Sequence, residues 1–193
     1  MTTFHPQAVP DLILIEPRAI PDARGFFLET YKASTYRVGG IPQTFVQDNH
    51  SRSVRGTLRG LHFQAPPNAQ GKLVSVTRGE ILDVAVDLRR GSPTFSRWVA
   101  VRLSDENHRQ LYLPVGFAHG FLVLSEEADL TYKVTSEYAP ESDRGILWND
   151  PDLGIAWGIR DPLLSERDQN LPRFAEADIP FEYRVAKSLA EEP

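Results

Sequence analysis

KLVSVTRGEILDVAVDL, residues 72–88, decides the fold class. Apolar and polar side chains alternate on both sides of Thr77-Arg78-Gly79-Glu80, as they do in strands that bury one face of a sheet. The glycine in that group favours a tight turn between two strands. The stretch therefore predicts a β-hairpin.

The rest of the chain repeats this pattern of short apolar runs between turn residues. Its 193 residues include 15 prolines and 13 glycines, which leave little room for long helices. Many short strands at fairly even spacing are typical of an all-β sandwich or closed barrel. Further strands are predicted at residues 12–15, 26–31, 45–51, 58–64, 97–103, 110–113, 120–124 and 130–136.

A chain of this length, without internal repeats or a low-complexity linker, predicts one domain. We expect that domain to span residues 1–183. The polar, acidic residues 184–193 read as a solvated tail. Ser165-Glu166-Arg167-Asp168 has the form of a capping box, which predicts a short helix or turn near the end of the domain.

The composition argues against several classes of function. Lys and Arg number 21 and Asp and Glu number 26, so no basic excess is present to suit nucleic acid or an anionic membrane. Cysteine is absent, which excludes disulfides, thiolate metal sites and a cysteine nucleophile. We see no secretory signal pattern and no apolar run of membrane-spanning length. The expectation is a soluble cytoplasmic protein.

Two histidines fall in positions of interest. His62 shares its strand face with Gln64, opposite Leu61 and Phe63, so it is either a hydrogen-bonded core histidine or a group that lines a barrel interior. His119 follows a proline–glycine turn, where it could simply cap backbone carbonyls. Together they suggest a metal centre, but Gln64 occupies the place of the second imidazole in a His-x-His pair. We therefore predict no metal.

Three polar side chains interrupt apolar strands. Lys72 shares its face with two valines, so its ammonium must pair, extend to solvent or take part in chemistry. Asp83 is a candidate partner for a buried cation. Tyr132 lies between Leu130 and Val134 on one face, either as a wall residue or as a proton donor at neutral pH. These residues favour acid–base chemistry over metal chemistry.

Six blocks of sequence point to a known family. The blocks are RGFFLETYK (24–32), QDNHSRS (47–53), LRGLHFQ (58–64), GKLVSVTRGEILDVAVDLRRGSPTF (71–95), PVGFAHGF (114–121) and RGILWNDPDLGIAW (144–157). They resemble the dTDP-4-dehydrorhamnose 3,5-epimerase family, and the match runs in order between about Leu12 and Phe181. The resemblance implies a cupin-type β-jelly roll with a few short helices, a homodimer with exchanged N-terminal strands, and a cofactor-free epimerase of nucleotide-linked 4-keto-6-deoxy sugars.

The resemblance also implies a role for each site residue. His62 is the general base and Asp168 its carboxylate partner, although the capping box also predicts a structural role for Asp168 at the start of a helix. Tyr132 is the acid on the opposite face of the sugar, and Lys72 faces the C4 keto oxygen. The nucleotide-sugar contacts implied by matching positions involve Arg24 and Arg59 for the diphosphate, Phe27 and Glu29 for the base, and Gln47, Asn49, Asp83, His119 and Tyr138 elsewhere in the pocket.

Strand geometry raises one conflict with these roles. Arg59 and His62 have opposite parity, so a regular strand would place them on opposite faces. A bulge or bend at Gly60 would reconcile them. The chain also departs from its relatives at Leu130-Thr131 and at Gly158, which leaves the shape of the pocket, and hence the product, open.

The function that the resemblance implies, and that we prefer, is inversion at C3 and C5 of dTDP-4-keto-6-deoxy-D-glucose to give dTDP-4-keto-L-rhamnose. The nearest alternative is a relative that inverts only one of these carbons. A metal-dependent cupin enzyme and a non-catalytic nucleotide-sugar binding module are alternatives from other classes. The joint presence of His62, Lys72, Tyr132 and Asp168 argues against the binding module.

Overall fold

The computed structural model describes residues 1–183, in which short strands form most of the regular structure. The strands are β1 (Thr3–Pro6), β2 (Ile13–Glu16), β3 (Ala19–Asp22), β4 (Gly25–Leu28), β5 (Gln47–Val54), β6 (Leu58–Gln64), β7 (Lys72–Arg78), β8 (Glu80–Asp87), β9 (Trp98–Ser104), β10 (Gln110–Leu113), β11 (Phe117–Val123), β12 (Glu127–Val134) and β13 (Asp143–Gly145). The helices are α1 (Ala33–Val38) and α2 (Glu166–Gln169), with 3₁₀ turns at Pro140–Ser142 and Phe174–Glu176. The predicted all-β class with a few short helices is confirmed.

Two antiparallel sheets face each other across the main core. The six-stranded sheet has the order β1-β2-β10-β7-β12-β5, and the five-stranded sheet has the order β13-β6-β11-β8-β9. Inward side chains of both sheets, such as Val74 and Leu130 from one and Ile81 and Phe121 from the other, form one cluster between them. β3 and β4 pair as a separate two-stranded hairpin.

The predicted hairpin between residues 72 and 88 is wrong. β7 pairs with β10 and β12 in the six-stranded sheet, whereas β8 pairs with β11 and β9 in the five-stranded sheet. Gly79 turns the chain from one sheet to the other with a φ of +75°, and a Cβ there would overlap the carbonyl oxygen of Glu127. Alternation identified the two strands correctly, but it carries no information about which strand each one pairs with.

The predicted bounds agree with the structure for β6 and β10. Three strands of three or four residues, β1, β3 and β13, and helix α1 were not predicted, because such short elements show too little periodicity. The capping-box prediction is confirmed, since Ser165 precedes α2 and its Oγ accepts a hydrogen bond from the Asp168 backbone N–H at 3.1 Å.

The outer face of the five-stranded sheet is covered by the segment that follows β13. Trp157, Ile179 and Phe181 from this segment pack with Leu61 and Phe63 of β6 in a second core cluster. This packing places α2 against β6 and so positions the candidate site. The predicted tail, residues 184–193, lies outside the described residues. Between residues 1 and 183, no helix is long and apolar enough to cross a bilayer.

Candidate active site

Side chains from both sheets and from α2 line a pocket of about 300 Å³. Strands β5, β7 and β12 contribute from one sheet, and β6 and β13 from the other. Six of the residues singled out from the sequence therefore share one cavity: Gln47, Asn49, His62, Lys72, Tyr132 and Tyr138.

His62 forms a dyad with Asp168 at this pocket. Leu61 and Phe63 point into the second core, so His62 takes the opposite face of β6, as strand parity predicted. Its Nε2 lies 2.5 Å from Asp168 Oδ1, and its side chain keeps 27% of its surface exposed. The imidazole is thus held on one side and open on the other.

Asp168 is buried and ionised. Burial alone would raise its pKa, but the hydrogen bond and charge of His62, the Ser165 contact and the nearby Arg167 together lower the pKa of Asp168 below its ordinary value. A carboxylate beside Nε2 favours the tautomer that carries the proton on that nitrogen. Nδ1 of His62 is then the nitrogen that can accept a proton.

Lys72 is a cation with little contact to water. It is 9% exposed, beside the buried Val74 and Val76 of the same strand face, and no described carboxylate lies within ion-pairing distance of it. Burial lowers the pKa of Lys72 to about 8, against the attraction of Asp143 and Asp83. Within residues 1–183, the Lys72 ammonium therefore neither pairs with a carboxylate nor extends to solvent.

Tyr132 reaches the pocket from the middle of β12. It pairs with Val74 of β7 and Asn49 of β5, while its strand neighbours on the same face, Leu130 and Val134, are buried in the protein interior. Burial raises the pKa of Tyr132, opposed by the positive charge of Arg59. The hydroxyl is therefore protonated at neutral pH and can donate a proton.

A bulge at Gly60 removes the conflict between Arg59 and His62. His62 pairs with His119 of β11 and Arg59 with Phe121, so three steps along β6 match two steps along β11. Gly60, with a φ of +132°, takes up the extra residue. Arg59 is exposed and its Nε donates to Ser53 Oγ at 3.1 Å.

Comparison with known proteins decides the family. Residues 6–176 match the sequence profile described as dTDP-4-dehydrorhamnose 3,5-epimerase. The chain belongs to this family. The dTDP-4-dehydrorhamnose 3,5-epimerase of Pseudomonas aeruginosa is 60% identical over 173 residues, which cover 89% of this chain and 95% of that one.

Solved structures agree with this family assignment. The dTDP-6-deoxy-D-glucose-3,5-epimerase of Legionella pneumophila, in complex with dTDP-4-keto-L-rhamnose, superposes with a TM-score of 0.92 at 46% identity, covering 96% of this chain and 100% of that one. ChmJ, a 3'-monoepimerase from Streptomyces bikiniensis in complex with dTDP-quinovose, superposes with a TM-score of 0.84 at 39% identity, covering 89% and 87%. The predicted cupin-type jelly roll of the dTDP-4-dehydrorhamnose 3,5-epimerase family is confirmed.

Four positions matched to the diphosphate and base contacts of this epimerase family do not line the pocket: Arg59 on β6, and Arg24, Phe27 and Glu29. Arg24, Phe27 and Glu29 belong to the β3–β4 hairpin and the residues around it. Arg24 is exposed and forms an ion pair with Asp22 at 2.6 Å, and Phe27 is 67% exposed. None of the three lines the 300 Å³ pocket of its own chain.

Two charged pocket residues of this epimerase-family chain were missed from the sequence, besides the lining residues Phe63, Gln64 and Gln70. Asp143 on β13 and Arg167 on α2 form an ion pair at 2.8 Å, and the Tyr138 hydroxyl donates to the other Asp143 oxygen at 3.3 Å. Both lie in charged stretches that look like solvated surface. Only the pairing of β13 with β6 brings Asp143 beside Gln64, and a three-residue strand gives no pattern from which to infer that.

Asp83 and His119 form a second buried pair beside the epimerase pocket. His119 Nε2 lies 2.7 Å from Asp83 Oδ1, and the two residues are 7% and 0% exposed. Neither lines the pocket. Among residues 1–183, no group of three or more His, Asp or Glu side chains is arranged to hold a metal ion.

Proposed function

We propose that this protein is an epimerase that inverts C3 and C5 of dTDP-4-keto-6-deoxy-D-glucose to give dTDP-4-keto-L-rhamnose. One observation carries the proposal: the His62–Asp168 dyad, Lys72 and Tyr132 surround a single pocket. These four residues supply a base, a charge for an enolate oxygen and an acid. Family membership and the 60% identical relative support the same substrate.

The first step is removal of a proton from the carbon beside the C4 ketone. Nδ1 of His62 takes the proton, and the C–H bonding pair forms the carbon–carbon double bond of an enolate while the C4 oxygen gains the negative charge. Asp168 stabilises the imidazolium that results. The Lys72 ammonium stabilises the C4 oxygen more strongly than water could, because the ammonium is itself largely buried. The ketone of the sugar itself supplies the activation.

The second step returns a proton to the opposite face of the same carbon. A base that gives back its own proton restores the original configuration, so inversion requires a second donor. Tyr132 projects from the six-stranded sheet and His62 from the five-stranded sheet, which supports opposed roles for the two. Transfer of the Tyr132 proton to carbon completes the epimerisation, and exchange with solvent restores both residues before the next carbon reacts.

The nucleotide is held by a second copy of the chain in this proposal. The β3–β4 hairpin and Glu29 form an arm, residues 19–29, and the three matched residues on it, Arg24, Phe27 and Glu29, do not line the pocket of their own chain. Ile20, Phe26 and Phe27 of this arm are more than half exposed. The arm leaves a cavity of about 600 Å³ against its own six-stranded sheet. A homodimer in which each arm reaches the partner's pocket would bury these apolar side chains and complete the diphosphate and base contacts.

Proton exchange tests the function directly. The protein is incubated with dTDP-4-keto-6-deoxy-D-glucose in deuterium oxide, and deuterium at C3 and C5 is followed by proton NMR, with His62→Ala as the matched blank. Deuterium at both carbons with inverted product is the expected result. Deuterium at one carbon identifies a single-carbon epimerase like ChmJ. No deuterium at either carbon overturns the enzymatic proposal, and binding without exchange identifies a nucleotide-sugar binding module.

A further inference from the structure

Asp83 is a buried carboxylate with one unused oxygen. Its Oδ1 lies 2.7 Å from His119 Nε2, and the residue is 0% exposed. Its Oδ2 is the only buried side-chain nitrogen or oxygen in residues 1–183 that has no hydrogen-bond partner. A buried polar atom without a partner is costly, so a group that tolerates it calls for a functional explanation.

Asp83 and Lys72 face the same interior from opposite sheets. Ile81 and Ala85, two residues to either side of Asp83 on β8, belong to the core cluster between the sheets. Val74, two residues from Lys72 on β7, belongs to the same cluster. Strand parity therefore turns both charged side chains into the space between the two sheets.

Few charges are placed to act on Lys72 in that space. The carboxylates of Asp143 on β13 and Asp83 on β8 favour the ammonium, whereas Arg167 on α2 opposes it. The other titratable side chains of the pocket wall are His62, Tyr132 and Tyr138, and His119 lies beyond them in contact with Asp83. Asp143 is already engaged by Arg167 at 2.8 Å. Within residues 1–183, the side chain of Asp83 makes its only hydrogen-bond contact with His119.

We propose that Asp83 is a positioning residue that fixes the His119 ring through Oδ1 and keeps Lys72 in its ammonium form through the uncompensated charge on its other oxygen. Asp83 is fully buried and does not line the pocket, so its effect on the reaction runs through Lys72. This inference rests on the proposed function only because that function gives Lys72 a role in the reaction. The electrostatic coupling itself is independent of substrate. Burial lowers the pKa of Lys72 to about 8, so loss of a favourable charge would leave much of it neutral at physiological pH.

The coupling is measured without substrate. The chain has four lysines, Lys32, Lys72, Lys133 and Lys187, so ¹³Cε-lysine NMR gives a simple spectrum in which Lys72→Met assigns the Lys72 signal. Asp83→Asn keeps the volume and an acceptor for His119 but removes the charge. We expect it to lower the pKa of Lys72 by about one unit or more. Asp129→Asn, which removes a carboxylate paired with Arg52 at 2.8 Å, is the charge-matched control and should leave the titration of Lys72 unchanged.

Two results would overturn the proposal. One is a Lys72 titration in Asp83→Asn that matches the parent. The other is an equal fall in the pKa of Lys72 in His119→Gln, which keeps the carboxylate, because the effect would then arise from disruption of the pair. If Asp83→Asn does not fold, the smaller Asp83→Ser takes its place in the same titration. A failed exchange experiment with a shifted Lys72 titration would reject the epimerase function and leave the coupling intact.

Discussion

His62 and Tyr132 face one pocket from different sheets, His62 from β6 in the five-stranded sheet and Tyr132 from β12 in the six-stranded sheet. Their strands are not hydrogen-bonded neighbours, so the packing of the two sheets sets the separation between the proposed base and the proposed acid. A sugar ring that enters between the sheets meets one group on each side. Inversion requires that arrangement.

The dyad predicts an order of severity for two substitutions. His62→Ala is expected to lower kcat by about 10³- to 10⁴-fold and to abolish exchange at both carbons, because it removes the base. Asp168→Asn is expected to lower kcat by less, since an amide can still form a hydrogen bond with the His62 ring. The cap of α2 should also survive this substitution, because it uses the backbone N–H of residue 168. Steady-state kinetics and the deuterium assay measure both, with His50→Ala as a control on another sheet face. Equal losses would make the Asp168 charge essential in its own right.

Tyr132→Phe should separate exchange from inversion. Phe keeps the ring within its strand face and removes only the donor hydroxyl. His62 then still removes the proton and returns one to the same face, so deuterium enters while little inverted sugar forms. NMR of the recovered sugar reports both quantities. Tyr112→Phe, a buried tyrosine outside the pocket, should behave as the parent. Inversion at the parental rate in Tyr132→Phe would move the acid elsewhere, with Tyr138 the next candidate.

Lys72→Met should stabilise the protein while it inactivates it. The pKa of Lys72 is lowered from 10.5 to about 8 by burial, so the unfolded state binds this proton more tightly and stability rises with pH across that interval. Lys72→Met is therefore expected to raise the free energy of unfolding at pH 7 by on the order of 3 kcal/mol. The gain should vanish above about pH 10.5, where Lys72 is neutral in both states.

Urea unfolding at both pH values measures this difference. Lys133→Met, which removes a partly exposed ion pair with Asp48, is the control and should change stability by less than about 0.5 kcal/mol. A Lys72→Met protein that is less stable than the parent at pH 7 would contradict the assignment of Lys72 as a buried, strained cation.

The proposed exchange of arms between two protomers predicts complementation between two inactive proteins. In a purified hybrid of a His62→Ala chain and an Arg24→Ala chain, one pocket combines an intact His62 with an intact Arg24 from the partner. The hybrid should recover about half of the parental activity, because one of two symmetric sites is complete. Differently tagged chains allow its isolation. An inactive hybrid of confirmed dimeric mass would show that each arm serves its own pocket.

Gly79→Ala tests the corner between the two sheets. A Cβ at this position would overlap the backbone of Glu127, and φ is +75°. We expect a loss of about 3 kcal/mol or more in the free energy of unfolding. Gly158 has a similar φ of +77° but open space around it. Gly158→Ala therefore measures the cost of the backbone conformation alone and should lower the free energy of unfolding by about 1 kcal/mol. Similar losses in the two variants would mean that the corner relaxes.

Strand alternation in the sequence was sufficient to predict the all-β class and the faces of individual residues. His62 lies where parity predicted it, because a period of two holds wherever one face is buried. The partners of β7 and β8 were mispredicted, because pairing depends on contacts far apart in the chain. Asp143 and Arg167 were missed for the same reason. The roles assigned to Asp168 and Arg24 came from family resemblance, since no local pattern links either residue to His62.

The His62–Asp168 contact joins residues 106 positions apart in the chain. All thirteen described strands precede Asp168 in the sequence. During synthesis, the strands of both sheets are therefore complete before Asp168, the carboxylate partner of His62, has been added. A premature stop codon or proteolytic cut just before residue 165 would leave every strand and most of the pocket wall, with an imidazole that has no anion beside it. Such a truncated chain also loses Ile179 and Phe181 from the second core cluster, so we expect it to be less active than Asp168→Asn.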